Sequence, residues 1–134
     1  KDADADVVAR TLDHQLQQLV HAKKCGVPVV VGTDAGSIGV QHGESVVDEL
    51  KLFMSAGYSL AEAISCATWQ AARLLEIEDT FGLLTRGRPA NFLVARGTPA
   101  QLPRKLRFLE AIYLNGKPSE DYRNLLRQAR VHRG

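Results

Sequence analysis

The sequence predicts an α/β fold, and three features of the chain point to it. A helical pattern of apolar residues is followed by the β-branched run Val27–Val31, and a second helical pattern follows that run. The run has no alternating polar residues, which is typical of a strand buried on both faces of a parallel sheet. Helix, strand, loop and helix in this order are characteristic of α/β domains.

The composition is that of a globular domain. The chain has 134 residues, of which 45% are hydrophobic and 24% are charged, and its formal net charge is +2. These fractions argue against a disordered or collagen-like chain. No apolar run approaches the roughly 20 residues that span a bilayer. We therefore expect no membrane partner.

The two cysteines suggest a reducing compartment, and their spacing does not indicate a metal cluster. Cys25 and Cys66 lie far apart, without partners at metal-ligand spacing. We expect two buried thiols in a reducing cytoplasm rather than a disulfide. His14, His21 and His132 stand at polar positions of helical patterns, so we expect them to face solvent.

Four helices are predicted in the first half of the chain. They are expected over about residues 5–24, 44–56, 59–67 and from Thr68 onwards. Gly26 and Gly57 follow the first two patterns and supply C-terminal stops. Ser59 and Glu62 have the spacing of a capping box, which opens the third helix. Thr68 is expected to cap the fourth.

The pattern changes near residue 79, where we place a boundary between two units. Turn-rich sequence, two short strands, a tight turn and a helix follow, with the strands over 91–95 and 108–114, the turn at Asn115–Gly116 and the helix over 120–131. The tail is basic, and such a tail can bind nucleic acid or an acidic partner. Arg123, Arg127 and Arg130 recur at helical spacing beside leucines, which is more typical of a solvated helix face. We expect no nucleic-acid partner.

The position of Asp34 makes it a candidate active-site residue. It follows the predicted strand, and the carboxyl ends of parallel strands are where α/β folds bind ligands. Gly32 and Gly36 flank it and permit close approach of a ligand or of backbone. An aspartate that only caps a turn with its carboxylate would occupy the same position. Position alone leaves both interpretations open.

An ordered series of motifs resembles the end of the metal-dependent amidohydrolase superfamily, in particular its imidazolonepropionase-like and prolidase-like members. The motifs are Gly32–Gly36, His42–Gly43, Asp48–Leu50, residues 56–63, residues 67–75 and residues 82–94. The likeness covers roughly residues 15–118 and includes the closing strand into Asn115–Lys117. One departure is Asn91, which stands where the family usually has Asp.

The resemblance implies a (β/α)₈ barrel joined to a small β-sandwich. Residues 1–79 would then hold the last βα elements of the barrel, with Val27–Gly32 as the eighth strand. Residues 80–134 would hold the C-terminal strands of the sandwich and a C-terminal helix. A complete barrel takes about 250 residues. The fold expected from 134 residues is therefore incomplete and corresponds to the C-terminal part of such a protein.

The implied activity is hydrolysis of amide, cyclic amide or dipeptide-like C–N bonds with one or two divalent metals, zinc being the expected ion. Asp34 matches the family aspartate that binds metal and accepts the proton of the attacking water. His42 lies on the same loop and is either a substrate-binding residue or a surface histidine. The other family ligands would all precede residue 1. We therefore expect the complete protein to be an enzyme, and this chain alone to hold no cofactor and to be inactive.

The sequence also leaves two other interpretations open. It could be a stand-alone non-catalytic domain that binds or oligomerises, or Gly32–Gly39 could cradle a phosphate before the next helix. The phosphate site is disfavoured because neither G-x-G-x-x-G nor a P-loop lysine is present. A parallel strand needs neighbours on both edges. We therefore expect a homo-oligomer or association with the missing part of a barrel.

Overall fold

The structure, a computed structural model, describes residues 2–131, and it describes side chains over residues 5–128. Within this range the elements are α1 (Asp2–Lys24), α2 (Glu44–Ser55), α3 (Leu60–Ala67), α4 (Trp69–Leu74), β1 (Phe92–Ala95), β2 (Leu109–Leu114), β3 (Lys117–Pro118) and α5 (Glu120–Val131). Two short 3₁₀ turns, Pro99–Gln101 and Arg104–Arg107, join β1 to β2. The predicted mixture of α and β elements is confirmed, and the helices and the strands β1 and β2 lie within a few residues of their predicted positions.

The hydrophobic core lies between α2 and α3. Its buried members are Leu50, Phe53, Ala56, Tyr58, Ala63 and Cys66. Apolar residues recur at helical spacing along α2, which brings Val47, Leu50 and Phe53 to the same side of the helix. Each of the three is at most 3% exposed. Phe53 and Tyr58 meet in a tilted ring contact with centroids 5.2 Å apart. This core is the support for the loop that carries Asp34.

Helix α1 packs on the core with its second half only. Leu16, Leu19 and Val20 are partly buried against the core. Val8 is 67% exposed and Leu12 is 39% exposed. Their exposure departs from the burial of one face that an amphipathic helix predicts.

The predicted strand Val27–Val31 does not form a ladder. Residues 27–34 have no regular secondary structure, and Val27 is 54% exposed. Val29 and Val31 do pack against the core between α2 and α3. A strand is defined by hydrogen bonds to a neighbour, and no other strand in the described range pairs with this segment. The segment therefore has the apolar character of a buried strand without the partner that would make it one.

The capping box that opens α3 is confirmed. The Glu62 backbone N–H donates to Ser59 Oγ at 3.2 Å, and the Ser59 N–H donates to Glu62 Oε2 at 2.6 Å. Lys23 reaches the same carboxylate at 2.9 Å and so connects the end of α1 to the start of α3. Thr68 does not cap α4 as predicted, because its hydroxyl donates to the carbonyl of Ile64 at 2.7 Å. Its side chain is thus used by the preceding helix.

Glu62 makes the stability of the chain depend on pH in the acid range. The hydrogen bond from Lys23, followed by those from Ser59, lowers the pKa of Glu62 from 4.5 to about 2. A carboxylate with a depressed pKa contributes stability above its unfolded pKa and loses that contribution as pH falls through its folded pKa. We expect Glu62→Gln to flatten the fall in thermal midpoint between about pH 4.5 and pH 2. Melting curves recorded across that pH range measure the effect, and the exposed Asp13→Asn is the matched control. If the thermal midpoint fell with pH equally steeply in wild type and in Glu62→Gln, the prediction would be refuted.

Strands β1, β2 and β3 form an antiparallel sheet in that order. Phe92 lies opposite Tyr113, and their rings stack with centroids 4.6 Å apart. Directly opposed aromatic pairs of this kind stabilise a sheet. The predicted tight turn after β2 is confirmed, with Asn115 at φ 51° and Gly116 at φ 76°. Two positive φ angles are what a two-residue hairpin turn of this type requires.

The side-chain amide of Asn91, the residue just before β1, makes two hydrogen bonds. Its Nδ2 donates to the carbonyl of Thr80 at 2.9 Å, and its Oδ1 accepts from the Asn115 N–H at 2.8 Å. An ionised aspartate has two acceptors and no donor. It could keep the bond to Asn115 but not the bond to Thr80, so asparagine at this position ties the sheet to the preceding turn.

Gly82 lies where the chain passes close to α4. Its φ is +97°, and a Cβ built on it would lie 2.9 Å from the Ala72 Cβ and 3.0 Å from the Trp69 Cα. We expect Gly82→Ala to destabilise the chain by about 2–4 kcal/mol, because it adds a steric clash to an unfavourable backbone conformation. Denaturant unfolding measures the change.

The matched control for Gly82 is Gly87. Gly87 has φ +87°, but a Cβ built on it meets nothing within 4 Å. Gly87→Ala should therefore carry only the conformational cost of about 1–2 kcal/mol. If both variants lost the same free energy of unfolding, the close approach of Gly82 to α4 would add nothing to the cost of the substitution.

The two cysteines differ in exposure. Cys66 is buried as predicted, and burial raises the pKa of its thiol. Cys25 is exposed, which contradicts the predicted buried thiol. The reason is its place directly after the last turn of α1, where no described residue covers it.

The polar surface agrees with the predictions where the structure describes it. His14 and His21 are exposed, as are Arg123 and Arg127. His132 lies outside the described residues, and so does the side chain of Arg130. None of the helices over the described residues has the length and apolar character that a membrane span requires.

Candidate active site

Asp34 stands at the first turn of the loop that follows residues 27–31. Its φ is 49°, in the left-handed region that aspartate and asparagine enter more readily than most residues. Its side chain is exposed, and Ser37 Oγ donates to Asp34 Oδ2 at 3.2 Å. The other carboxylate oxygen has no hydrogen bond from the described residues, which leaves it available to a ligand.

Two long-range hydrogen bonds hold the segment that leads to Asp34. The Val31 N–H donates to the carbonyl of Cys66 at 3.2 Å. The Gly32 N–H donates to Glu49 Oε1 at 3.0 Å. One bond comes from α3 and the other from α2, so both helices of the core position the backbone just before the carboxylate.

The loop beyond Asp34 closes on itself. The Gly36 N–H donates to the Val40 carbonyl at 3.0 Å, and the Val40 N–H donates to the Ser37 carbonyl at 3.0 Å. Ile38 lies at the tip with a relative exposure of 105%. The exposed Ile38 gives this compact loop an apolar surface that other groups can contact.

His42 folds back over this loop. A Cβ built on Gly36, two residues after Asp34, would lie 3.5 Å from His42 Nε2 and 3.9 Å from its Cε1. The glycine at φ +108° therefore permits close approach of the imidazole. The structure thus brings His42 to the loop that carries Asp34, and both side chains are exposed.

The described residues do not make a complete metal site. No group of three or more His, Cys, Asp or Glu side chains converges anywhere in the described part of the chain. Catalytic zinc sites use three protein ligands and a water. Asp34, with His42 beside its loop, falls short of that set, so the described residues do not by themselves fit a catalytic divalent ion.

Sequence reasoning gave no role to two residues of this site. Glu49 anchors the Gly32 N–H, and Ser37 holds Asp34 Oδ2. Ser37 lies three residues from Asp34, a spacing typical of side-chain bonds within turns. Glu49 is 17 residues from Gly32, and only the packing of α2 against the segment reveals that contact.

Comparison with known proteins identifies the family. The sequence profile of the amidohydrolase family matches residues 4–132. This match covers nearly the whole chain, and the chain therefore belongs to the amidohydrolase family.

Individual relatives agree with that family. The chain is 33% identical to an uncharacterised protein of Mycobacterium tuberculosis (strain ATCC 25618 / H37Rv), over 72% of this chain and 24% of that protein. It is 35% identical to the imidazolonepropionase of Verminephrobacter eiseniae (strain EF01-2), over 54% of this chain and 16% of that enzyme. The chain thus spans a quarter or less of the length of these curated relatives.

Solved structures show the same likeness in the fold. A Xaa-Pro dipeptidase with bound methionine in its active site superposes with a TM-score of 0.67 at 30% identity, over 78% of this chain and 25% of that one. Molinate hydrolase also superposes with a TM-score of 0.67, at 22% identity, over 78% of this chain and 26% of that one. The second match speaks for the fold alone. The chain is an amidohydrolase superfamily protein with imidazolonepropionase-like and prolidase-like relatives.

Proposed function

We propose that this chain is the C-terminal part of a metal-dependent hydrolase that acts on amide, cyclic amide or dipeptide-like C–N bonds. The observation that carries the proposal is Asp34, an exposed carboxylate in a family-matched chain, held in place through Val31 and Gly32 by two helices. The relatives named imidazolonepropionase and Xaa-Pro dipeptidase support cyclic amides and dipeptides as substrate classes.

The architecture proposed for the complete protein follows the family. Residues 1–79 are the last elements of a (β/α)₈ barrel, with Val27–Gly32 as its eighth strand, and residues 80–134 belong to a small β-sandwich. Within the described part of the chain no strand pairs with 27–31. This supports the assignment, because a run of apolar β-branched residues is typical of a strand with neighbours on both edges. The antiparallel sheet of β1, β2 and β3 supports the sandwich assignment.

Asp34 is proposed to be the general base and a ligand of a divalent metal, zinc being the expected ion, in the complete protein. A carboxylate supplies oxygen to a metal and accepts a proton from water, and a bound metal lowers the pKa of its water to about 7. Within this chain Ser37 orients one oxygen of the carboxylate. The remaining oxygen is free for the reaction.

The proposed activity is tested on the complete protein that carries this chain. Xaa-Pro dipeptides, other dipeptides and a cyclic amide such as imidazolonepropionate are offered to metal-loaded and chelator-treated enzyme. We expect hydrolysis of at least one class, its loss on chelation and its return on addition of zinc. A complete, folded protein that hydrolyses none of them in any metal would overturn the proposal.

His42 is proposed to contact substrate. Its imidazole lies over Gly36, beside the loop that presents Asp34. In the complete protein we expect His42→Gln to raise KM by about tenfold with kcat within about twofold, the pattern for loss of uniform binding. Steady-state kinetics measure both constants, with the exposed His14→Gln as control. A fall in kcat with unchanged KM would contradict the role.

Association is the second proposal and concerns the chain by itself. Leu74 and Leu75 are 67% and 65% exposed, and Val27 is 54% exposed. Large exposed apolar groups of this kind mark surfaces that other groups cover. We propose that a second copy covers them in the isolated chain, in the place of the remainder of a barrel. Static light scattering that shows a monodisperse monomer at tens of micromolar would refute this association. The proposals include no nucleic-acid or membrane partner.

A further inference from the structure

Cys25 and His21 form a contact away from the candidate active site. Cys25 directly follows the last residue of α1, and its exposed Sγ lies 3.6 Å from Nε2 of His21, one helical turn earlier. His21 is exposed as well. Segment 26–33 separates the pair from Asp34 along the chain, and within the described residues neither member is hydrogen-bonded to Asp34 or to its loop.

The spacing of the two donor atoms fits a tetrahedral metal ion. Zinc binds thiolate sulfur at about 2.3 Å and imidazole nitrogen at about 2.0–2.1 Å. Two such ligands at the tetrahedral angle lie about 3.6 Å from each other by the same geometry. The observed separation of Cys25 Sγ and His21 Nε2 is also 3.6 Å. The two atoms therefore already have the separation that a shared ion requires, with no change of backbone.

The end of α1 holds both residues and favours a cation. The Cys25 N–H donates to the His21 carbonyl at 3.0 Å, and the Val27 N–H donates to the Ala22 carbonyl at 3.0 Å. These bonds fix the backbone that carries the pair. The carboxyl end of a helix has a partial negative charge, which attracts cations.

The neighbouring lysines leave the pair accessible. Lys23 directs its ammonium group away from the pair, to the Gly57 carbonyl at 2.7 Å and to Glu62 at 2.9 Å. Lys24 is exposed on a long flexible stem. A cation that approaches Cys25 therefore meets Lys24 as a mobile like charge, while the charge of Lys23 is paired with Glu62.

We propose that His21 Nε2 and Cys25 Sγ form a bidentate binding site for a soft divalent cation such as zinc or cadmium. Thiolate and imidazole are the ligands such ions prefer. On binding, the Cys25 thiol releases its proton to solvent, and the metal–sulfur bond takes the place of the S–H bond. The other coordination positions face solvent.

Titration of the reduced 134-residue chain with cadmium tests the site. Calorimetry gives the affinity, and the thiolate-to-cadmium charge-transfer absorption reports the sulfur ligand directly. We expect a saturable site in wild type. Cys25→Ser and His21→Gln should each weaken it by about a hundredfold, because two tethered ligands bind far more tightly than either alone. Both side chains are exposed, and circular dichroism checks that the variants keep their helix content.

Two variants serve as matched controls. His14→Gln removes the other exposed histidine of α1, and Cys66→Ala removes the buried thiol. Neither should change the cadmium affinity. Wild-type affinity in His21→Gln would overturn the bidentate site, since the thiol would then act alone. Wild-type affinity in Cys25→Ser, or an equal loss in either control, would also overturn it.

Discussion

Asp34→Asn in the complete protein is expected to lower kcat by a factor of about 10²–10⁴, the usual worth of general-base catalysis. Asparagine keeps the shape of the side chain and still accepts a hydrogen bond from Ser37, but it cannot take a proton from water. It is also a poorer ligand for a divalent ion than a carboxylate. Initial rates with the preferred substrate, measured after zinc loading, give the factor.

Two companion variants make the Asp34 result specific. Ser37→Ala removes only the 3.2 Å hydrogen bond to Asp34 Oδ2, so it should lower kcat by about tenfold or less. Asp13→Asn removes an exposed carboxylate of α1 and should leave kcat unchanged. Near-full activity of a folded Asp34→Asn enzyme would show that Asp34 only caps a turn, which is the alternative that its position leaves open.

Local signals predicted the helices of this chain well. The capping box of Ser59 and Glu62 is a pattern within four consecutive residues that determines its own geometry, and the structure contains it. The turn at Asn115–Gly116 is similar, because both residues accept positive φ. Such features need no information from distant parts of the chain, so sequence alone is enough to predict them.

Long-range contacts were beyond sequence reasoning. Arg107 lies 59 residues from Asp48, yet its guanidinium reaches that carboxylate at 2.6 Å and joins a 3₁₀ turn to α2. Glu49 likewise holds the Gly32 N–H near the candidate site. No spacing rule connects these positions, since only the packing of elements brings them together.

The exposure of Val8 and Val27 shows what an apolar pattern leaves open. Such a pattern indicates a surface that prefers burial, but it does not tell which partner buries that surface. Val8 and Val27 are more than half exposed in this chain. A pattern of apolar residues reports the preference of one surface. Burial also requires a second surface, and the described residues do not supply it.

The chain by itself is expected to bind no catalytic metal and to show no hydrolase activity. Hard divalent ions take six or more oxygen ligands, and catalytic zinc takes three protein ligands. In the described part of this chain no three metal-ligating side chains converge, and Asp34 offers a single carboxylate. One carboxylate cannot hold an ion against water or place a hydroxide for attack.

Manganese is the best probe of this expectation. It is a hard ion that prefers oxygen ligands, so it distinguishes Asp34 from the thiol and imidazole at the end of α1. Calorimetric titration of the dialysed chain should show no saturable manganese site, and wild type and Asp34→Asn should behave alike. Zinc titrations of the same two proteins should also coincide, whatever zinc the Cys25 and His21 pair takes up. A submicromolar manganese site that disappears in Asp34→Asn would mean that the ligand set is complete within these 134 residues, and the proposal of a missing barrel would then be wrong.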